Sequence, residues 1–270
     1  LQFEDDEETI NNFQHFISVS GRISKYSVCV LSFVIVYSFT LQLITDKFSV
    51  EVRVPGIDLY ERPYFYIVAA LQNLWCMPIG VLTYIAYMCV MYISILFGIF
   101  LMKDIQHKLM EMEDLDELEA LNRLKKCIRW HAMIIRFHQN LKALFSFGNF
   151  VDVSFFFLVP CMIIVHSRME TSSVVLVRDI QMVIIVSITT FVLFWLAGNF
   201  CDEGLNIAHA AYNSNWTSRS KEFRQNIILI IAMSQKPLWL TAGGVKPLNM
   251  ETFMAILRST YSLFSILQGT

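Results

Sequence analysis

Charge is what this chain has least of. Asp, Glu, Lys and Arg make up 16% of its 270 residues, where a soluble domain carries roughly 25%. Hydrophobic residues make up 55%, and the mean hydropathy is +0.50. The few charges are crowded into some stretches and missing from others. That layout excludes one large soluble core and points to a bilayer. A net charge of −2 leaves no electrostatic footprint for a nucleic acid. Cysteine is sparse too: Cys29, Cys76, Cys89, Cys127, Cys161 and Cys201 are scattered and form no CxxC, which excludes a zinc or redox motif. They read as reduced thiols acting as small hydrophobes. GxGxxG, P-loop, HExxH and GxSxG are all absent. The histidines (His15, His107, His131, His138, His166, His209) show no metal spacing. His131 and His138, two helical turns apart, read as part of a solvated or packed helix face. An enzymatic reading has no footing, and no cofactor is called for.

What is there is a series of long uncharged runs. Residues 26–45 hold no charge, with Lys25 on one side and Asp46-Lys47 on the other. Residues 63–102 hold none either, which is too long for one span, since crossing takes roughly 20 residues. Pro78 and Gly80 interrupt the run, so a loop is expected up to about 78 and a span over 79–102. Residues 103–142 are charged, with Leu115, Leu118, Leu121 and Leu124 at every third position, the pattern of an amphipathic helix outside the membrane. That helix is expected to run on into a third span over 143–165. A fourth span is expected over 180–201, a short apolar helix over 225–235, a turn over 241–247 and a last helix from about 248 to the end. The segments are then 1–102 (two spans and an outer loop, 46–78), 103–165, 166–240 and 241–270. The fold class is all-α, a polytopic transmembrane helical bundle. The chain opens on Leu1 rather than Met and is expected to be part of a longer protein. Its acidic run, Glu4 to Glu8, is the opposite of a basic signal-peptide region.

Lys and Arg set the orientation. With the N-terminus in the cytoplasm, the inside segments hold three times as many of these residues as the outside loops, where Lys47, Arg53, Arg62, Arg168 and Arg178 lie. The C-terminus is then outside. The one glycosylation sequon, Asn215-Trp216-Thr217, is expected to be cytoplasmic and unmodified.

Two features could carry chemistry. Asp152 is the sole charge within the third expected span. Ionisable groups at membrane depth face a partner or a cavity, so it serves a helix–helix hydrogen bond or a gating role. In the last helix, Ser259, Ser262, Ser265 and Gln268 recur at every third position, against Phe253, Ile256, Leu257, Leu263, Phe264 and Leu267. Such a polar stripe needs water or polar partners, met by a pore or by helix–helix bonding. Ile266 beside it could close a pore by dewetting. Aromatic residues are dense in the outer halves of the spans. They are membrane-belt anchors or packing, or else the wall of an apolar pocket, for which Tyr37, Phe39, Thr40, Tyr84, Tyr87, Phe156 and Met182 are the candidates by depth and type.

Near the C-terminus the order Gln235-Lys236-Pro237, Leu240-Thr241-Ala242-Gly243-Gly244 and Pro247-Leu248-Asn249-Met250-Glu251-Thr252-Phe253 resembles the insect odorant receptor family. So does the helix after it, with Tyr261-Ser262 and Phe264. The motif covers about the last forty residues. The rest agrees in layout alone, and the chain would correspond to spans three to seven of the family's seven. The resemblance implies an odorant-specific subunit of a ligand-gated, non-selective cation channel in the plasma membrane of olfactory sensory neurons. It implies a hetero-tetramer with an insect odorant-receptor co-receptor, with four last helices lining the pore. It also implies long cytoplasmic helix extensions forming an anchor domain, at about 103–144 and 202–240, and small volatile odorants held in the outer half of the bundle. Ser259, Ser262, Ser265, Ile266 and Gln268 would then line the pore. Gustatory receptors are the near alternative, but Thr260-Tyr261 is followed here by six residues before Gln268, and Gly269 stands where that family has Phe. A G-protein-coupled receptor would need the opposite orientation, and neither Asp-Arg-Tyr nor Asn-Pro-x-x-Tyr is present.

Overall fold

The computed structural model describes residues 7–45, 60–112, 115–169 and 173–269. In chain order its elements are α1 (Glu7–Thr45), α2 (Tyr64–Leu71), a π-helical turn (Gln72–Cys76), α3 (Met77–Met110), α4 (Glu117–Met169), α5 (Ser173–Asn213), α6 (Lys221–Ser234), a hairpin of β1 (Thr241–Ala242) and β2 (Lys246–Pro247), and α7 (Met250–Gly269). Among the described residues, three helical stretches are long and apolar enough to cross a membrane: Tyr64–Met110, Glu117–Ile163 and Asp179–Asn213. The uncharged run 26–45 forms the C-terminal half of α1.

The chain divides into two compact units, 1–93 with 172–174, and 94–171 with 175–270. In the first, α1 packs against α2 and the π turn. Its buried positions include Leu41, Phe65 and Ala69, together with three amides, Gln42, Gln72 and Asn73. Part of the expected outer loop, 46–59, lies outside the described residues. The remainder departs from the expectation: 64–76 are helical and lead directly into α3. Pro78 does not stop the helix because it stands at the second residue of α3, just after the π turn. A widened turn there displaces the carbonyl that the proline ring would otherwise strike.

In the second unit α4 is the spine, with α6, the hairpin and α7 packed against it. Its buried residues run Ala120, Leu124, Cys127, His131, Ile134, Leu141, Phe145, Asn149, Asp152 and Phe156, in steps of three, four and once seven residues that keep to the true helical period. The expected leucine ladder is only partly this stripe. A strict three-residue step drifts about 60° per repeat around a helix of 3.6 residues per turn. Accordingly Leu124 is fully buried while Leu118 is 69% exposed. Burial pushes the Cys127 thiol up to about 12, so it packs as an inert hydrophobe. Gly98 lets α3 approach α5: a Cβ there would stand 2.3 Å from the buried Phe200 ring. Just over two turns on, the Gln106 amide donates to the backbone carbonyl of Glu203 at 3.0 Å and to its carboxylate at 2.9 Å.

Candidate functional site

The last helix is placed by its first turn and by the hairpin before it. Gly243 and Gly244 have φ of +60° and +74°, and the Val245 amide donates to the Ala242 carbonyl at 3.1 Å. Two consecutive residues at positive φ turn the chain within the three residues, 243–245, that separate the paired strands, and glycine takes that conformation without a Cβ clash. The hairpin pairs Thr241 with Pro247 and Ala242 with Lys246. It docks on α4 through the Gly243 amide, which donates to the Ser146 carbonyl at 2.9 Å. Upstream, the His138 imidazole donates from Nε2 to the Trp239 carbonyl at 3.0 Å. Burial lowers the pKa of that ring, so it bonds there as the neutral tautomer. Replacing Gly243 with alanine should destabilise the protein by about 1–2 kcal/mol for the left-handed backbone alone. A further penalty follows because the new Cβ lands 3.2 Å from Phe150. Gly244→Ala, with nothing within 4 Å of its Cβ, should carry only the backbone cost. Equal melting-temperature losses for the two variants would contradict this.

Beyond the hairpin, Asn249 caps α7: its Oδ1 accepts from the Thr252 amide at 2.8 Å. Phe253 follows, 6% exposed, inside a cluster of rings. It stacks on Phe156 of α4 (centroids 5.3 Å apart, planes 11° apart) and meets Phe191 and Phe194 of α5 at 5.7 and 5.6 Å. The start of α7 is thereby clamped to two long helices. Three polar side chains are also buried here: Asn149 and Asp152 of α4 and Thr241 of β1. Asp152 Oδ2 has no hydrogen-bond partner among the described residues. Between α4, the hairpin and α7 lies a cleft of about 990 Å³, lined by residues that include Phe150, Phe157, Phe194, Ile256 and Ser259.

Past the clamp, α7 turns its serines outward. Ser259, Ser262 and Ser265 are all exposed. Ser259 and Ser265 donate to carbonyls one turn back, on Ala255 and Tyr261, at 3.0 and 3.1 Å. Their hydroxyl protons are satisfied within the helix, and each oxygen remains free to accept from water or a neighbour. Ile266 and Gln268 belong to α7, but their side chains lie outside the described residues.

The residues expected around a ligand fall in both units. In the first, Tyr37 and Tyr87 are half-buried while Phe39, Thr40 and Tyr84 are exposed. Tyr37 stacks on Phe33 at 6.1 Å, and the Thr40 hydroxyl is engaged with its own helix, on the Val36 and Tyr37 carbonyls. In the second, Met182 is exposed and Phe156 is buried under Phe253. The sequence reading missed the Phe253 clamp because its partners lie some sixty to one hundred residues upstream. The Asn249 cap was open to discovery, as an Asn directly before a helical apolar pattern.

The sequence pattern of the seven-transmembrane odorant receptors matches residues 2–261. The chain belongs to that family. This odorant receptor is 29% identical over 220 residues to odorant receptor 10 of Aedes albopictus, covering 80% of this chain and 58% of that protein. It is 27% identical over 216 residues to odorant receptor 30a of Drosophila melanogaster, covering 79% and 57%. Its fold is that of the insect olfactory receptor OR5 from Machilis hrabei, solved in complex with eugenol: the TM-score is 0.77 at 17% identity, over 96% of this chain and 70% of that one. It is therefore a helical membrane protein and an insect chemoreceptor chain. It spans somewhat under three-fifths of the length of the two curated relatives.

Proposed function

We propose that the full-length parent of this odorant receptor is the odorant-specific subunit of a ligand-gated, non-selective cation channel. It would work as a hetero-tetramer with an insect odorant-receptor co-receptor in the plasma membrane of olfactory neurons. Family membership supports the reading. The feature that carries the channel assignment is α7, a helix held at its start by the Phe253 clamp and presenting Ser259, Ser262 and Ser265 outward. Outward hydroxyls on a spanning helix, even with their protons bonded within the helix, present oxygens that favour water or polar partners over lipid. Four such helices around an axis would supply an aqueous path, with Ile266 and Gln268 continuing the stripe. The surplus of Lys and Arg in the inside segments supports an inside N-terminus and outside C-terminus. The cytoplasmic ends of α3, α4 and α5, with α6, would then form the anchor where subunits meet. A small, weakly polar odorant in the outer half, near Tyr37, Phe39, Thr40, Tyr84, Tyr87, Phe156 and Met182, would favour the open state by binding it more tightly than the closed one.

The test is whole-cell recording from cells expressing the parent with a co-receptor, under an odorant panel, with G-protein signalling blocked. A fast current, absent with the co-receptor alone, is the expected result. In Ser265→Cys channels a charged thiol reagent should block most of that current. Reagent-insensitive current from surface-delivered Ser265→Cys channels would remove α7 from the conduction path.

A further inference from the structure

The first unit buries three amide side chains together, where a membrane-crossing element has little reason to carry any. Gln42 sits on α1 at 2% exposure, and Asn73, at 1%, opens with Gln72 the π turn that follows α2. They form a chain of donors and acceptors. The Gln42 amide nitrogen donates to Gln72 Oε1 at 3.0 Å. The Asn73 amide nitrogen donates to Gln42 Oε1 and to the Ala69 carbonyl, the latter at 2.8 Å. The chain ends on one atom: Asn73 Oδ1 is fully buried and has no hydrogen-bond partner among the described residues.

A buried amide oxygen without a donor is costly, and in an apolar membrane segment the cost rises because no bulk water reaches it. Both hydrogens of the Asn73 amide are committed elsewhere, so the side chain cannot turn away without breaking two bonds. The oxygen is therefore held in place as an acceptor. It stands in a π turn, a distortion that recurs at functional sites, and two residues past Thr40 on α1 comes Gln42, which fixes it. Under the inside-N orientation the end of α1 faces the outer half of the membrane.

We propose that Asn73, oriented by Gln42 and Gln72, is the polar recognition point for the odorant, and that it selects ligands carrying a hydrogen-bond donor, such as a hydroxyl or a ring N–H, over isosteres without one. This rests on the odorant-gated reading above and adds the chemical class of ligand. A site built to bond a donor discriminates by more than the bond itself, because an isostere without the donor leaves the oxygen buried and unmet.

The experiment uses the full-length parent with its co-receptor and compares concentration–response curves for primary alcohols with those for their methyl ethers, and for phenol with anisole. The wild type should respond at about tenfold lower concentrations to the donors. Asn73→Leu, close in shape, should erase that preference by weakening the alcohol responses while leaving the ether responses in place. Gln72→Met tests the same point without touching the acceptor. It removes the acceptor that orients the Gln42 amide nitrogen and so loosens the hold of Gln42 on Asn73, and the preference should again fall. Equal wild-type responses to alcohols and ethers would overturn the proposal. So would variants that shift both classes alike, or surface-delivered variants silent to both, since each outcome would make the trio a structural clamp. A wild-type parent silent to every odorant despite surface delivery would overturn the channel reading itself, a result distinct from either.

Discussion

Phe253→Ala should destabilise the receptor by about 3–5 kcal/mol, the usual range for deleting a buried phenylalanine ring. The ring meets three others, at 5.3, 5.7 and 5.6 Å. Aromatic pairs add about 0.5–1.5 kcal/mol each beyond simple burial, which places this site toward the upper end. The surroundings cannot collapse into the space easily, because Phe156 and Phe194 are themselves buried and sit on two different long helices, α4 and α5. Against a total stability of about 5–15 kcal/mol, such a loss should reduce surface delivery several-fold. Phe253→Leu keeps much of the apolar volume and should cost less than half as much. Melting of the detergent-solubilised parent, read beside surface labelling, checks both. If Phe253→Ala melts like the wild type, the clamp is not what holds α7. In the channel reading the two effects also separate: current per delivered Phe253→Ala channel should fall, because a pore helix loose at its root transmits less of the bundle's movement.

How much of this was legible beforehand depends on the range of the interactions. The spanning stretches announce themselves because scarcity of charge is a local property: the three long apolar helical stretches overlap the uncharged runs 79–102 and 180–201 and the run 143–165, whose one charge is Asp152. The turn over 241–247 was readable at Gly243-Gly244, since glycine takes consecutive positive φ values cheaply, while the strand pairing around it was not. The serine repeat on α7 was readable as a pattern, and Ser259, Ser262 and Ser265 are exposed in the chain. The helical path through Pro78 was hidden, because what permits it is a π turn that no local propensity encodes. The same holds for the second-unit core. Leu118 and Leu124 look equivalent in sequence, and only the phase of a 53-residue helix sends one outward and the other in. The amide trio was invisible for a third reason: Gln42 and Asn73 are 31 positions apart, and each alone reads as an ordinary polar interruption of an apolar run.

Arg219 is where a second large loss should appear, through hydrogen bonding rather than packing. Its side chain is 14% exposed, and its guanidinium donates to the Met112 carbonyl at 2.8 Å and the Leu115 carbonyl at 2.9 Å. A third bond reaches Glu117 Oε2 at 3.4 Å, and the group lies 5.8 Å from the Phe223 ring. One residue on, the Ser220 amide donates to Glu117 Oε1 at 3.0 Å while its hydroxyl caps α6 by accepting from Phe223. A single side chain therefore braces the connection after α3, the start of α4 and the start of α6. Arg219→Met keeps the stem and removes every donor, taking the guanidinium from the Leu115 carbonyl and leaving the Met112 carbonyl only the long 3.4 Å bond from the Leu115 amide. Hydrogen bonds to a charged group are worth about 1.5–3 kcal/mol each, and with partial rehydration the net loss should be about 2–4 kcal/mol. Arg219→Lys should recover little of it, since a point charge on a flexible stem cannot serve two carbonyls in fixed directions. Glu117 looks like the obvious electrostatic partner, and hydrogen bonds from Ser220, then Arg219, do hold its carboxyl below the ordinary range. Yet that carboxylate is 42% exposed, and an ion pair open to water contributes little. Glu117→Gln should therefore melt close to wild type. Because a lowered carboxyl pKa gives stability that is lost as pH falls through it, acid should erode only this small share and leave the Arg219→Met penalty nearly intact. A Glu117→Gln loss as large as that of Arg219→Met would mean the brace is held by charge rather than by the two carbonyls.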